Sequence, residues 1–148
     1  MKSTAQNSRV EIIDHASFLL LDRGEVDSEI LLVEKKEEPG VWGLPGGQGL
    51  PNEPFDSTMW RETLEEVGVT MENPAEIFRT LVEDPTTHLF IVFGGFVGYM
   101  DIKNIHPGKE IGRVAFFNKR GIEELIAAGL VRSRHARAIR EYWQTRCY

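Results

Sequence analysis

Three carboxylates carry the first chemical signal in this chain. Glu62, Glu65 and Glu66 stand at i, i+3 and i+4 of a segment with helical patterning. At 100° per residue they share an arc of about 100° on the helix surface. Met59, Trp60, Thr63, Leu64 and Val67 fall on a separate arc that can face a core. Like charges at this spacing repel by a few tenths of a kcal/mol per pair. A hard divalent cation such as Mg²⁺ or Mn²⁺ offsets that repulsion, because carboxylate oxygens are its preferred ligands. Arg61 reaches Glu65 at i+4. Three glutamates alone read most simply as a solvated acidic face. Their surroundings change the weighting: Gly43-Leu44-Pro45-Gly46-Gly47 lies just upstream, and Glu53 adds a fourth carboxylate near the helix start. Glycine lets backbone carbonyls and amides approach a ligand closely. A glycine loop, a carboxylate-bearing helix and an arginine together suit cation-assisted pyrophosphate chemistry.

The elements that must position this cluster follow from patterning. Val10–Asp22 and Glu29–Lys36 read as strands, and a hairpin between them is expected at Asp22-Arg23-Gly24. Residues 37–52 read as a loop dense in Gly and Pro. The carboxylate helix starts near Glu53-Pro54 and stops at Gly68, which offers a left-handed cap. Ala75–Val82 is a strand, Pro85-Thr86-Thr87 a turn, and Leu89–Tyr99 a long apolar strand. Arg113–Asn118 is a short strand. Ile122, Leu125 and Ile126 mark a helix closed by Gly129, and a last helix spans Ser133 to Tyr142 or beyond. The interleaving predicts an α/β fold.

Composition bounds the rest. The chain has 148 residues, 41% hydrophobic and 27% charged, which fits one domain over residues 1–148. Cys147 is the single cysteine, so no disulfide forms within the chain and a cytoplasmic location is expected. The polar start, Met1 to Arg9, lacks the apolar core of a signal peptide. The run Leu89–Met100 is too short to span a bilayer as a helix, so no membrane partner is expected. Net charge is −6, which argues against general affinity for nucleic acid. Residues 132–148 nevertheless hold five Arg and one acid, leaving 12 basic and 22 acidic residues before them.

The segment Gly47–Val69 resembles the Nudix box, G-x5-E-x7-R-E-U-x-E-E-x-G-U, with U a bulky aliphatic residue. Gly47, Glu53, Arg61, Glu62, Glu65, Glu66, Gly68 and Val69 match, and Thr63 stands at a U position. Seven fixed residue types at these spacings arise by chance roughly once in a million chains. Trp42-Gly43-Leu44-Pro45-Gly46-Gly47 is similar to the family's approach to the box. The resemblance implies a mixed β-sheet between helices over about Val10 to Tyr142. It implies a hydrolase for a nucleoside diphosphate linked to another moiety: a (d)NTP, ADP-ribose, a nucleotide sugar or a dinucleoside polyphosphate.

By position, Glu62, Glu65 and Glu66 are then the cation and base candidates, with Mg²⁺ or Mn²⁺ as cofactor. Arg61 orients a carboxylate, Glu53 supports the cluster, and the Gly46 carbonyl is an extra ligand. Glu110, in the loop before Arg113–Asn118, is a further catalytic or cation candidate in the family's manner. Lys35 and Lys36 end the strand before the glycine loop, as phosphate-binding cations or as ordinary surface lysines. The expected partner is a small nucleotide-type molecule. The Arg-rich end leaves a capped RNA terminus open, and the oligomeric state is open, a homodimer included. A non-catalytic nucleotide-sensing module on the same scaffold is the alternative. The complete set of carboxylates favours the enzyme. His15, His88, His106 and His135 show no zinc-site spacing, and Trp42, Phe90 and Phe93 read as core before base-stacking residues.

Overall fold

A computed structural model describes residues 14–24, 26–69, 71, 73–82, 88–96 and 102–146. Within them, seven strands form one sheet: β1 (His15–Asp22), β2 (Glu29–Lys35), β3 (Trp42–Gly43), β4 (Gly46–Gln48), β5 (Ala75–Val82), β6 (His88–Phe96) and β7 (Ile111–Asn118). Among the described residues, three helices accompany it: α1 (Phe55–Val67), α2 (Lys119–Ala127) and α3 (Ser133–Arg146). A short 3₁₀ turn spans Ile102–Asn104.

The expected hairpin is reduced to its base. β1 and β2 meet where Asp22 lies opposite Ile30, and beyond that rung they take different partners. β1 pairs with β6 in parallel along its whole length and with β4 antiparallel. β2 pairs antiparallel with β7 and with β3. β5 forms the far edge, antiparallel to β6. The loop expected over 37–52 therefore contains two short strands. Backbone shape explains what patterning missed. Gly46 has φ of 145°, and a Cβ there would lie 2.3 Å from the Ser17 carbonyl oxygen. Without side chains, Gly46 and Gly47 lie flat against β1.

Alternation along β1 splits the core into two layers. Leu19, Leu21, Leu31, Val33, Ile91 and Phe93 pack beneath α1 with Met59 and Val67. Phe18, Leu20, Ile30, Leu32, Phe90 and Val92 pack on the other face against Ile122 of α2 and Ala138, Ile139, Tyr142 and Trp143 of α3. The sheet lies between helices, in the α/β class the sequence implies. Trp42, Phe90 and Phe93 are buried core residues. Among the described residues, no helix is long and apolar enough to cross a membrane.

Several boundaries move. The long apolar strand is described from His88 to Phe96, and β7 begins two residues before Arg113. Val10–Ile13, Cys147 and the turn expected at Pro85-Thr86-Thr87 lie outside the described residues.

Candidate functional site

Helix α1 starts after Pro54, which sits extended at the cap, and ends at Gly68, φ 70°, as its sequence requires. Its last carbonyls are taken by the segment that follows β6. His106 N–H donates to the Val67 carbonyl, and Gly108 N–H to that of Glu66, both at 2.9 Å. These two bonds satisfy acceptors that a helix end leaves open. They also carry Lys109 and Glu110 to the carboxylate helix. A Cβ on Gly108 would lie 2.2 Å from the Glu65 carbonyl oxygen, so glycine permits the approach. The result is one cleft lined by Glu62, Glu65, Glu66, Gly108, Lys109, Glu110 and Ile111. Glu110 lines this cleft with the box acids. Lys109 was not anticipated, because its role depends on the loop's docking.

The three box glutamates differ sharply in environment. The Glu65 side chain is 61% exposed, Glu62 20% and Glu66 10%. Glu66 does not share the open arc: it is buried with Met59, Thr63 and Val67, whereas Leu64, expected to pack, is exposed. The glycine loop and the Gly108 loop cover the helix from the Glu66 side, which rotates the packed arc away from Leu64. Gly46 N–H donates to Glu66 Oε1 at 3.1 Å, and Lys35 Nζ lies 3.7 Å from Oε2. Burial pushes the Glu66 carboxyl up to about 7, with the Glu62 charge adding to the effect against Gly46 N–H and Lys35. Lys36 is exposed at the strand end and its N–H donates to the Glu110 carbonyl, which ties the two loops together.

Arg61 is the hub of the helix start. Its Nε and Nη2 bind Glu53 at 3.0 Å each, and Nη1 binds Glu62 at 2.8 Å. Glu65, the partner expected from spacing, is farther, at 3.7 Å. The Gln48 carbonyl takes a longer bond of 3.3 Å. Glu53 also accepts from Leu50 N–H at 3.0 Å and from the Thr58 hydroxyl at 2.7 Å. Arg61 foremost holds Glu53 down to about 2. Glu53 thus holds Arg61 through two hydrogen bonds. Behind it sits a buried histidine: His15 Nε2 lies 2.8 Å from Thr58 Oγ1. The Thr58 hydroxyl has one proton and gives it to Glu53, so His15 Nε2 carries the proton between them. Gly49 makes room for the ring, since a Cβ there would lie 2.1 Å from it.

Gly47 serves Glu62 in the same way: a Cβ would sit 2.6 Å from its Oε1. Of the sequence candidates, Glu62, Glu65, Glu66 and Glu110 line one cleft, Gly46 and Lys35 border it through Glu66, and Glu53 and Arg61 brace it. The Arg-rich end is largely engaged. Arg132 pairs with Glu38, Arg134 and Arg137 lie over Phe90 and Phe78, and Arg146 lies over Tyr142.

The family model of the NUDIX domain matches residues 14–142. The chain belongs to the Nudix family. No curated protein matches the sequence. Among solved structures, this Nudix chain is similar to a NUDIX hydrolase from Nitrosomonas europaea, at 23% identity and TM-score 0.69, covering 90% of each chain. A MutT/nudix family protein from Enterococcus faecalis is 23% identical, with TM-score 0.60, over 78% of this chain and 51% of that one. The present chain thus spans about half of that relative's length. A bifunctional NMN adenylyltransferase/ADP ribose pyrophosphatase from Francisella tularensis, complexed with AMP and a Mn ion, is 18% identical. Its TM-score is 0.65, over 99% of this chain and 45% of that one. At these identities the likeness is one of fold.

Proposed function

We propose that this Nudix chain hydrolyses a pyrophosphate bond in a nucleoside diphosphate linked to another moiety, with Mg²⁺ or Mn²⁺. One observation carries the reading: α1 and the Gly108 loop bring Glu62, Glu65, Glu66 and Glu110 into a single cleft beside the glycine loop. As they stand, no three His, Cys or acidic side chains among the described residues are close enough to enclose an ion. The donor set nevertheless fits a hard cation. All its members are oxygen ligands, and Glu66 is raised by burial beside another carboxylate, a state that added positive charge relieves. Glu62, Glu65, Glu66 and the Gly46 carbonyl would hold the cation, with Glu110 at the cleft's other wall.

When bound, the cation supplies charge neutralisation and acidifies water. The chain's own residues do the rest. Arg61 fixes Glu62 at 2.8 Å and stands farther, at 3.7 Å, from the exposed Glu65, which is suited to take the proton of the attacking water. Lys35 and Lys109 stand on two sides of the acids, where they can meet phosphate oxygens. Water adds to phosphorus, the bridging P–O bond breaks, and the departing phosphate or nucleotide carries away the bond's electrons. The Francisella tularensis relative's AMP and Mn ion support a nucleotide and a divalent cation as partners.

The test is purified protein with Mg²⁺ or Mn²⁺ and a panel of (d)NTPs, ADP-ribose, nucleotide sugars and dinucleoside polyphosphates. Turnover of one class is expected, and Glu65→Gln should lower kcat by about a hundredfold or more with the fold intact. Folded protein that turns over none of them overturns the reading. Tight nucleotide binding without product would establish the sensing module instead.

A further inference from the structure

The glycine loop meets the last helix as well as the catalytic one. Leu44 N–H donates to His135 Nδ1 of α3 at 2.8 Å, and both residues are buried. An acceptor at Nδ1 requires a neutral ring with its proton on Nε2. Burial, with Arg132, Arg134 and Lys35 nearby, pushes the imidazole down to about 3 and keeps it neutral. The ring is held edge-on between Phe18 and Phe90, with centroids 4.5 and 5.3 Å away.

The loop is shaped to this ring at a second residue. A Cβ on Gly43 would lie 2.9 Å from His135 Nδ1 and 3.0 Å from Arg132 Nη1. The approach to the loop is fixed from the same side. Trp42 N–H donates to the Leu130 carbonyl and Arg132 N–H to that of Trp42, so β3 pairs with the α2–α3 connection. Beyond Leu44 the loop is already committed: the Pro45 carbonyl accepts from Leu19 N–H, and Gly46 N–H donates to Glu66. One residue, Pro45, therefore separates Leu44, tied to α3, from Gly46, tied to the buried carboxylate of the site.

We propose that His135 is a positioning residue for the cation site: through Leu44 N–H it fixes the Gly43–Gly47 loop and so aims Gly46 at Glu66. This rests on the reading that Gly46 and Glu66 belong to a divalent-cation site. The final helix is then part of the active site's support, although none of its residues reaches the cleft.

The test compares Mn²⁺ binding, followed by the loss of the free-ion paramagnetic resonance signal, with thermal unfolding of the same proteins. His135→Phe keeps an aromatic ring but removes the acceptor, and His135→Asn puts an oxygen near the Nδ1 position. Supporting-residue losses commonly cost ten- to a hundredfold in metal affinity. His135→Phe should therefore bind Mn²⁺ about tenfold more weakly, and His135→Asn should recover most of that loss. Gly43→Ala displaces the ring from the loop side and should behave as His135→Phe. Wild-type affinity in folded His135→Phe, or no recovery in His135→Asn, overturns the proposal. Should His135→Phe not fold, wild-type affinity in Gly43→Ala overturns it alone. A wild-type chain that binds no Mn²⁺ is a separate result, which sinks the cation reading and the proposal with it.

Discussion

The two faces of β1 are built to different ends. Toward α1 the strand presents His15 and Ser17 before Leu19 and Leu21, and α1 answers with Thr58, Thr63 and Glu66, all buried. Toward α3 it presents Ala16, Phe18 and Leu20, and the helix answers with Ala138, Ile139 and Trp143. Polar groups on this second face gather at two anchors. One is His135. The other is Asp22, which accepts from Gly24 and Glu29 N–H, the Ser28 hydroxyl and the Tyr142 hydroxyl. The α3 layer gains its stability from apolar burial closed by a few strong polar ties. The α1 layer gives up part of that burial, because side chains held by hydrogen bonds fix a carboxylate more sharply than packing does. Substitutions of the hydrogen-bonded groups under α1 should therefore show in cation binding, and those under α3, His135 apart, in stability.

Acid pH separates the two faces most strongly. His135 is ordinary at 6.5 unfolded and about 3 folded, so between these values the unfolded chain holds the extra proton and stability falls as pH falls. Glu66 moves from 4.5 to about 7 on folding, so there the folded chain holds the extra proton and stability rises as pH falls. Between about 4.5 and 6.5 the two oppose each other, and cation-free wild-type protein should unfold with little dependence on pH. Removing one partner should expose the other, at up to about 1.4 kcal/mol per pH unit. Glu66→Gln should lose stability on acidification and His135→Asn should gain it. Denaturant melts at pH 6.5 and 5 check the signs, and parallel slopes in the two variants would break the comparison. Glu53 and Glu34, each held near 2 by an arginine, enter below 4.5 and lie outside this window.

The next effect belongs to the α3 face alone. Tyr142 Oη donates to Asp22 Oδ2 at 2.6 Å in a buried setting. Tyr142→Phe removes that donor and leaves the carboxylate one partner short. It should cost about 2 kcal/mol of unfolding free energy while Mn²⁺ affinity stays at the wild-type value. A matching loss of affinity would show that the layers are coupled beyond the His135 contact.

Spacing made much of the site legible and left its depth hidden. Glu62 and Glu65 lie where the helical period puts them, and Gly68 ends the helix for a backbone reason that is local. The sheet class followed from interleaved patterns, and the layered order was implied by the box. Glu66 was misjudged because a helical wheel knows nothing of what covers the helix. Two loops, separated by some sixty residues in sequence, cover it. β4 escaped notice because two of its three residues are glycines, whose value lies in the atoms they omit. His15 and His135 gave no signal at all. Each works through one hydrogen bond to a residue 43 or 91 positions away.

Under α1, Thr58→Val is expected to act on the cation site. The isosteric change removes the hydroxyl that links His15 to Glu53 and leaves both with a lost partner. Glu53 then holds Arg61 less firmly, and Glu62 with it. Mn²⁺ binding should weaken roughly tenfold, with a stability cost of about 1–2 kcal/mol, and Thr58→Ser should restore both. A variant that loses stability alone would make this chain a structural tie and erase the contrast between the faces.

Thr63 should give the smallest effect, with the opposite sign. It occupies a box position where an aliphatic residue is usual, it is fully buried, and its Oγ1 has no hydrogen-bond partner among the described residues. Burying a hydroxyl without a partner costs about 1–3 kcal/mol. Val has the same branched shape and suits the same rotamer. Thr63→Val should then raise unfolding free energy by about 1 kcal/mol and leave kcat and Mn²⁺ affinity untouched, because Thr63 bonds to no member of the site. A loss of affinity in Thr63→Val would mean that the hydroxyl serves the site once a cation is bound. Thr63 would then join Thr58 and Glu66 in serving the site, and the contrast with the α3 face would be sharper than the geometry alone makes it.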